Sequence, residues 1–447
     1  MPTEARPAHP RGCTRRASIL VPALLGLAAC GSDGDDDRPL VRISGSALGA
    51  EGAILTTQLE RFMAEQPDVR VEIQRTPDDA TQRHQLYVQW LNARVGHPDI
   101  LQLDVVWTAE FAAAGWILPL GRFGTDTADF FPATIDANTW REELYAIPWF
   151  VDVGMLYRRT DLVPEEPRDL SELARLAGEA AARAGAPRYG YVFQAARYEG
   201  LITGFVEVLG AFGARILDDS GRVVVDEPGA VRALEWMRAL IWELQGAPTD
   251  VLGWHEEETR FAFQNGEALF MRNWPYAYAL LADSSRSAVA GRYAVGPIPA
   301  ADAAVAPTGE PTTTLGGAQL AINRWSEVPE AAWRVIAYLT APEQMLERAR
   351  AVGQFPPRVA LFDDPRLDSA LAIPSAQARR AIERAEPRPV TPIWTELSEI
   401  LQIELHRALA RQASPQDALR SAAQRMNELM ERTGVRDLYA PEGSTGG

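Results

Sequence analysis

Strand and helix patterns alternate along the first third of this chain, and that order constrains the fold more than any other feature. Short apolar or alternating runs predict strands, and apolar residues spaced three and four apart predict helices between them. The predicted elements are a strand over Leu40–Gly45, a helix over Glu51–Glu65, a strand over 69–74, a helix over 81–95, a strand over 100–103 and a short helix over 109–115. A β-α-β-α-β order implies a parallel sheet with helices on both faces, and ligands at the carboxyl ends of its strands, where Gly45 and Asp104 stand.

The rest of the chain is predicted to hold more helix than strand. Helices are predicted over 169–184, 228–245, 256–265, Pro329–Leu339, Pro342–Val352, 375–385, 393–410 and 415–431. Strands are predicted over 268–271 and 293–297, and a Pro/Ala/Thr-rich exposed loop over 300–314. About 410 residues outside the N-terminal leader are enough for two domains or lobes, each with its own core.

The N-terminal leader predicts export. Four arginines precede an apolar stretch, 19–29, which is too short to span a bilayer and is typical of a secretory signal peptide over 1–29. Its end, Leu27-Ala28-Ala29-Cys30-Gly31, looks like a bacterial lipobox, in which Cys30 is lipidated and becomes the first mature residue. Two or more acyl chains on Cys30 would give durable membrane attachment, with 30–39 as an acidic flexible tether. The alternative is a cleaved signal peptide followed by a free thiol.

Composition and motifs exclude several classes of function. The two cysteines are Cys13 in the leader and Cys30, so no disulfide or cysteine-based metal site is expected in the body. The net charge is −16, and because the leader carries +3, the remainder carries about −19, which disfavours a nucleic-acid partner. The sequence has no nucleotide-binding, zinc-protease or serine-hydrolase motif and only five histidines, so we expect neither a cofactor nor a metal.

Four short segments combine aromatic side chains with carboxylates, arginines or glycines, and a fifth is a leucine followed by two glycines. They are 103–107, 148–154, 197–200, 272–276 and 315–317. A pyranose has an apolar C–H face that stacks on an aromatic ring, and hydroxyl groups that both donate and accept hydrogen bonds. Because carboxylates accept from two hydroxyls and arginine donates to two, this mixture is typical of a sugar-binding site. Each segment alone is weak evidence, because any one aromatic side chain belongs more often to a buried core than to a ligand site.

Taken in order, these segments resemble the extracellular solute-binding proteins of carbohydrate ABC transporters, of the maltose-binding type. The resemblance covers 40–435 and is closest to members that bind trehalose, maltose and related disaccharides. Its more specific stretches are 99–120, 145–162, 189–200, 270–280 and 315–323, supported by Pro356-Pro357-Arg358 and 391–406.

The resemblance implies an α/β fold of two lobes, each a sheet flanked by helices, with a hinge and a ligand cleft between them. It assigns 40–148 and 315–360 to the first lobe, and 149–314 and 361–447 to the second. It also implies capture of a disaccharide and delivery to the permease subunits of an ABC importer. The protein would be a monomer without enzymatic activity, held by its lipid at the outer face of the cytoplasmic membrane.

The family's ligand positions, carried over to this sequence, give ten candidates: Glu51, Arg83, Asp104, Phe150, Asp152, Trp274, Tyr276, Gly316, Gly317 and Arg358. The resemblance implies that Trp274 and Tyr276 stack and hydrogen-bond. It implies that Gly316 and Gly317 present backbone groups at a crossing between lobes. Family members often have tyrosine in place of Phe150, so this chain lacks one hydroxyl group there.

Structural roles remain open for four of these residues. Asp104 can cap the helix that follows it, and Glu51 can be a first-turn acid stabilised by the helix dipole. Arg83 can be a solvated helix charge, and Trp274 can belong to the core. The segment Arg197-Tyr198-Glu199 fits either the rim of a cleft or the core of the second lobe.

Two other functions would use the same residues. A surface-anchored glycoside hydrolase would use Asp104 and Asp152 as general acid and as nucleophile or base. In a binding protein both carboxylates would stay ionised and accept from hydroxyls, and the sequence marks neither for a raised pKa. A sugar sensor that feeds a chemoreceptor would bind in the same way as a transport component.

Overall fold

A computed structural model of the chain describes residues 37–45, 50–183, 185, 187–218, 220–371 and 373–436. The predicted signal peptide, Cys30 and most of the predicted tether lie outside the described residues. Within these ranges no helix is both long and apolar enough to cross a membrane.

Strands and helices follow each other closely along the described ranges. The strands are β1 Leu40–Gly45, β2 Arg70–Arg75, β3 Ile100–Asp104, β4 Thr139–Trp140, β5 Glu143–Leu144, β6 Ala146–Val153, β7 Met155–Arg159, β8 Tyr189–Val192, β9 Ala268–Asn273, β10 Tyr293–Gly296 and β11 Leu315–Ile322. The α-helices are α1 Glu51–Glu65, α2 Ala80–Asn92, α3 Thr108–Ala113, α4 Pro132–Asp136, α5 Leu170–Ala182, α6 Glu199–Ala211, α7 Pro228–Trp242, α8 Glu256–Gln264, α9 Tyr276–Ala282, α10 Pro329–Leu339, α11 Pro342–Val352, α12 Pro365–Asp368, α13 Ser375–Glu383, α14 Trp394–Leu409 and α15 Pro415–Thr433. Short 3-10 helices cover Gly121–Phe123, Thr249–Gly253 and Val359–Asp363.

Ordinary local signals begin several of these helices. The side chain of Asp79 accepts a hydrogen bond from the backbone of Gln82 at the start of α2, and Asp169 does the same for Glu172 in α5. Proline occupies the first position of α7, α10, α11 and α15, where the missing N–H would have no helical partner. These signals explain why most helices begin within one residue of their predicted start.

The first sheet has the strand order β2-β1-β3-β11-β6. β1 is parallel to β2 and β3, which confirms the parallel arrangement predicted from the first third of the chain. β11, from far along the chain, inserts antiparallel between β3 and β6. Helices α1, α10 and α11 pack together beside this sheet.

The second sheet has the strand order β10-β7-β9-β8. β8 and β9 are parallel, while β7 is antiparallel to both β9 and β10. Helix α5 packs on β8, and α6, α7, α14 and α15 pack on one another. Gly154 alone separates β6 of the first sheet from β7 of the second, so the chain crosses between sheets at that residue. The lobe boundaries predicted above remain a prediction.

Candidate functional site

A cavity lies between the two sheets, where the end of β3, the centre of β6 and the start of β11 meet several helix N-termini. Eight of the ten predicted ligand residues line it: Glu51, Arg83, Asp104, Phe150, Asp152, Trp274, Gly316 and Gly317. Its other polar walls come from Asp78, Gln102, Tyr198, Glu199, Thr203, Glu256 and Arg388. Six carboxyl groups and two guanidinium groups therefore face one small space. No group of three or more His, Cys, Asp or Glu side chains in the described part of the chain is arranged to hold a metal ion.

Asp104 lines the cavity, but it does not cap helix α3, whose N-cap residue is Trp107 and has no side-chain capping hydrogen bond. One oxygen of Asp104, Oδ1, accepts from the backbone N–H of Val106 at 3.3 Å, within the turn before α3. The same oxygen accepts from a guanidinium nitrogen of Arg388 at 2.9 Å, and the carboxyl group lines the cavity. Because only part of its accepting capacity is used, Asp104 can hold this turn and still face a ligand.

Arg388 is the cavity arginine that the sequence reasoning missed. Its side chain is 1% exposed and bridges Asp104 to Glu199, with a distance of 2.7 Å to Glu199 Oε1. Trp394 Nε1 and Ser398 Oγ also donate to Glu199, so that carboxylate is held on several sides. The only sequence signal was its place between two prolines, Pro387 and Pro389, which gives no hint of a long-range contact.

Arg358, which the resemblance placed at the ligand, does not line the cavity. Its Nε donates to the carbonyl of Thr340 at 3.0 Å, and its guanidinium lies 4.2 Å from the centre of the Phe130 ring. A further nitrogen approaches Asp129 at 3.4 Å. These contacts keep Arg358 beside α10 and the 3-10 helix Val359–Asp363, and the guanidinium groups at the cavity are those of Arg83 and Arg388.

Glu51 and Arg83 are buried at the N-terminal ends of two helices. Glu51 is the first residue of α1, as the helix-dipole argument expects, and is 5% exposed in the cavity wall. The amide of Gln354 donates to it. Arg83 donates to the carbonyls of Pro77 and Asp78 at 2.8 and 3.0 Å and is 8% exposed, so it is not a solvated helix charge.

Asp152 is a half-buried acid whose carboxyl group interacts with the charge of Glu51. Burial, together with the Glu51 charge, raises the pKa of Asp152 to about 8, although Arg348 and Arg272 act in the opposite direction. This direction opposes the expectation that the carboxyl group is ionised at neutral pH. Its Oδ1 is buried without a hydrogen-bond partner among the described residues. An oxygen in that state favours a ligand that brings a hydroxyl group to it.

The Trp274 ring is fixed at the second-sheet side of the cavity. Its Nε1 donates to Glu256 at 3.3 Å, and its backbone carbonyl accepts from Tyr157 at 2.7 Å. Gly316 lies against the ring, since a Cβ atom there would be 3.1 Å from Trp274 Cζ3. Trp274 thus lines the cavity, although it is also packed on several sides.

Tyr276 lies outside the cavity, on α9. It is 2% exposed, and its hydroxyl group donates to Glu257 at 2.7 Å. The resemblance implies a role at the ligand for Tyr276 together with Trp274, but Tyr276 begins helix α9 and its side chain lies against Glu257 instead. Tyr198, which the sequence left between rim and core, does line the cavity, over Gly200.

A histidine contact joins the two sides of the cavity mouth. His255, which precedes α8, lies 3.2 Å from Asp79, which precedes α2, and its ring packs 4.3 Å from that of Tyr198. The hydrogen bond with Asp79 raises the pKa of His255 above its ordinary value. Burial acts to raise the pKa of Asp79, but the same hydrogen bond outweighs it together with the other contacts of Asp79, so that this pKa is lowered. The pair is therefore charged over a range that includes mildly acidic pH.

We expect this contact to make the protein more stable in mildly acidic than in alkaline solution. A raised histidine pKa contributes stability that is complete below the ordinary value near 6.5 and is lost as the pH rises through the folded-state pKa. NMR titration should show the pKa of His255 falling toward its ordinary value in the Asp79→Asn variant. His97 in the same spectra is the control, and an equal change at His97 would contradict the assignment.

Comparison with known proteins decides the family. A profile of the bacterial extracellular solute-binding proteins matches residues 46–346, about two thirds of the chain. The chain belongs to that family. A relative from Deinococcus radiodurans described as a probable ABC transporter-binding protein is 34% identical over 364 residues, which cover 78% of this chain and 84% of the relative.

Solved structures agree with the two-lobed fold of this solute-binding protein. The maltose-bound MalE3 of Thermotoga maritima superposes with a TM-score of 0.82 at 39% identity and covers 87% of this chain and 99% of its own. The GacH receptor of Streptomyces glaucescens superposes with a TM-score of 0.78 at 23% identity, over 88% of this chain and 99% of its own, and shows the same fold. The predicted family and fold are thereby confirmed. Membership also makes this an exported component of an ABC importer, and these relatives are binding proteins.

Proposed function

We propose that this protein captures a disaccharide of the trehalose or maltose class and delivers it to the permease subunits of an ABC importer. The observation that carries the proposal is the cavity in which the Trp274 ring and the unpartnered Oδ1 of Asp152 face the same space. An aromatic face suits the C–H side of a pyranose, and a buried acceptor suits its hydroxyl groups. The maltose in the 39%-identical T. maritima structure supports the same class of ligand.

The remaining cavity residues supply the other hydrogen bonds that a saccharide needs. Asp104 and Glu256 accept, Arg388 donates, and protonated Asp152 can do either. Asp104 belongs to the first predicted lobe, over 40–148 and 315–360, and Trp274 to the second, over 149–314 and 361–447. A ligand that contacts both lobes favours the closed arrangement, because its contacts are complete only there. Gly316 and Gly317 would bring backbone groups close to the ligand.

We propose that the bound saccharide is not cleaved. A raised pKa at Asp152 would suit a general acid, as in the glycosidase alternative. The second carboxyl group of that mechanism, Asp104, instead binds Arg388 and the backbone of Val106. Purified protein should therefore release no glucose from trehalose or maltose.

Calorimetry of the purified protein against trehalose, maltose and about twenty other sugars tests the function directly. We expect saturable disaccharide binding that Trp274→Ala weakens by about 1–3 kcal/mol, the range for loss of a large aromatic contact. The matched control is Trp333→Ala, because Trp333 is a half-buried tryptophan that stacks on Phe123, outside the cavity lining. Unchanged affinity in Trp274→Ala, or glucose release by the wild type that is lost in Asp104→Asn, would overturn the proposal.

We also propose that the protein is a lipid-anchored monomer at the outer face of the cytoplasmic membrane. The support is the lipobox-like end of the leader at Cys30 and the acidic stretch that follows. In a bacterial host, the full-length protein should partition into detergent with the membranes, and Cys30→Ala should release it or leave it unprocessed. Identical partitioning of the two proteins would contradict the anchor. Light scattering of the soluble form should give the mass of one chain.

A further inference from the structure

A buried ion pair lies directly behind the Trp274 ring. The guanidinium carbon of Arg272 is 3.8 Å from the ring centre, and Arg272 and Glu207 side chains are 2% and 1% exposed. Arg272 stands on β9, two residues before Trp274, and Glu207 on α6. Arg272 itself does not line the cavity. The pair therefore supports the ring from the side opposite to any ligand that stacks on it.

The geometry of the pair leaves it little freedom. Arg272 binds both oxygens of Glu207, through Nε at 2.9 Å and a terminal nitrogen at 2.5 Å, and its other terminal nitrogen donates to Gln194 at 3.2 Å. Gln194 in turn donates to the backbone carbonyl of Arg272 at 3.1 Å. Gly154 lies directly against the pair, because a Cβ atom there would be 1.7 Å from Glu207 Oε1. A guanidinium held in this way presents one fixed plane to the indole.

Stability alone does not explain such a pair. Burying two charges costs solvation free energy, and the attraction between the charges offsets that cost only in part. Apolar residues of similar volume often give a protein the same stability. A planar cation against an indole, by contrast, is an attractive contact that depends on orientation. Here the contact fixes the tilt of a side chain whose backbone is already held by Tyr157 and whose Nε1 is held by Glu256.

We infer that Arg272 and Glu207 are positioning residues for saccharide binding, which act through the Trp274 ring by fixing its orientation before the ligand arrives. This inference rests on the proposed function. A preoriented ring removes the entropy that the ligand would otherwise lose in ordering it, so the pair contributes to affinity without touching the ligand.

The test is a double-mutant cycle with the full protein and the disaccharide that the wild type binds. Arg272→Met combined with Glu207→Gln removes the pair without leaving a buried charge, and we expect the Kd to rise about tenfold. In the Trp274→Ala background the same two substitutions should change the Kd less than twofold, because residues that act through one another are not additive. Arg272→Lys, which keeps the charge but not the plane, should restore only part of the affinity. The matched control is Arg159→Met with Asp161→Asn, which removes an ion pair on β7 of the same sheet.

A second readout does not need a ligand. In protein labelled with fluorotryptophan, the resonance that disappears in Trp274→Phe reports the environment of that ring among the twelve tryptophans. We expect this resonance to shift or broaden in the Arg272/Glu207 double variant and to stay unchanged in the Arg159/Asp161 control. Equal affinity losses in the wild-type and Trp274→Ala backgrounds, or an unmoved Trp274 resonance, would overturn the inference. If no sugar binds the wild type, the proposed function fails, and the Trp274 resonance alone decides whether the pair positions the ring. If the double variant does not fold, the Kd and the Trp274 resonance are measured in Arg272→Lys instead.

Discussion

Replacing Gly317 by alanine should destabilise the protein by about 3 kcal/mol or more. The backbone of Gly317 has a φ of +119°, a conformation that residues other than glycine rarely adopt. A Cβ atom there would lie 2.2 Å from the carbonyl oxygen of Phe150 and 2.9 Å from Val151 Cα. Both are backbone atoms of β6, which pairs with β11 at this register, so relief requires the sheet to separate locally.

Urea denaturation of the purified variants measures this effect, and the neighbouring glycine provides the control. A Cβ atom at Gly316 would lie 3.1 and 3.3 Å from the edge of the Trp274 ring, which can shift by a few tenths of an ångström, and 3.5 Å from the carbonyl oxygen of Asp152, which is an ordinary contact. We expect Gly316→Ala to cost less than about 1 kcal/mol of stability but to weaken saccharide binding. Equal stability losses in the two variants would contradict the assignment of strain to Gly317.

Arg388→Met should also be strongly destabilising, by about 3–5 kcal/mol, and should abolish tight saccharide binding. Removing one member of a buried ionic cluster leaves its partners without compensation, and here both Asp104 and Glu199 lose their guanidinium. The variant also loses a donor in the cavity wall. Chemical denaturation gives the first effect, and calorimetry on the folded fraction gives the second.

Arg358→Met is the matched control for that prediction. Arg358 is 18% exposed, and its acidic partner Asp129 is 37% exposed, so the ion pair is partly solvated. We expect a stability loss of about 1 kcal/mol or less and an affinity close to that of the wild type. A larger loss of affinity in Arg358→Met than in Arg388→Met would show that Arg358 is the arginine that contributes to binding, as the family resemblance implies.

Amphipathic helices could be predicted from the sequence because each has one face in water, and the first three strands could be predicted because they are short apolar or alternating runs between helices. α10 and α11 have the predicted bounds, and α15 differs by two residues at its end. Helix α6 was missed because it is buried nearly all round, so its apolar residues show no period. β11 was missed for the same reason, since both of its faces are covered within the sheet.

The cavity lining was predictable where a residue stands at the end of a local element, as Asp104 and Glu51 do. Arg388 and Glu199 could not be predicted with the same certainty, because their role depends on a contact between segments almost two hundred residues apart. The raised pKa of Asp152 likewise arises from burial and from Glu51, a hundred residues earlier in the chain. Neither relation leaves a local pattern of residue types.

The insertion of β11 between β3 and β6 has a consequence for the order in which the chain can fold. When the chain is exported from its N-terminus, all strands of the second sheet have crossed the membrane once Gly296 has crossed. The first sheet still lacks β11, the strand that joins β3 to β6, until Ile322 has crossed as well. Until then β6 has no neighbour in the sheet, because β11 is its only strand partner among the described residues. A chain that is threaded through a translocon from its N-terminus therefore completes its later sheet first, and an unpaired β6 edge is the segment that a secretion chaperone would have to protect.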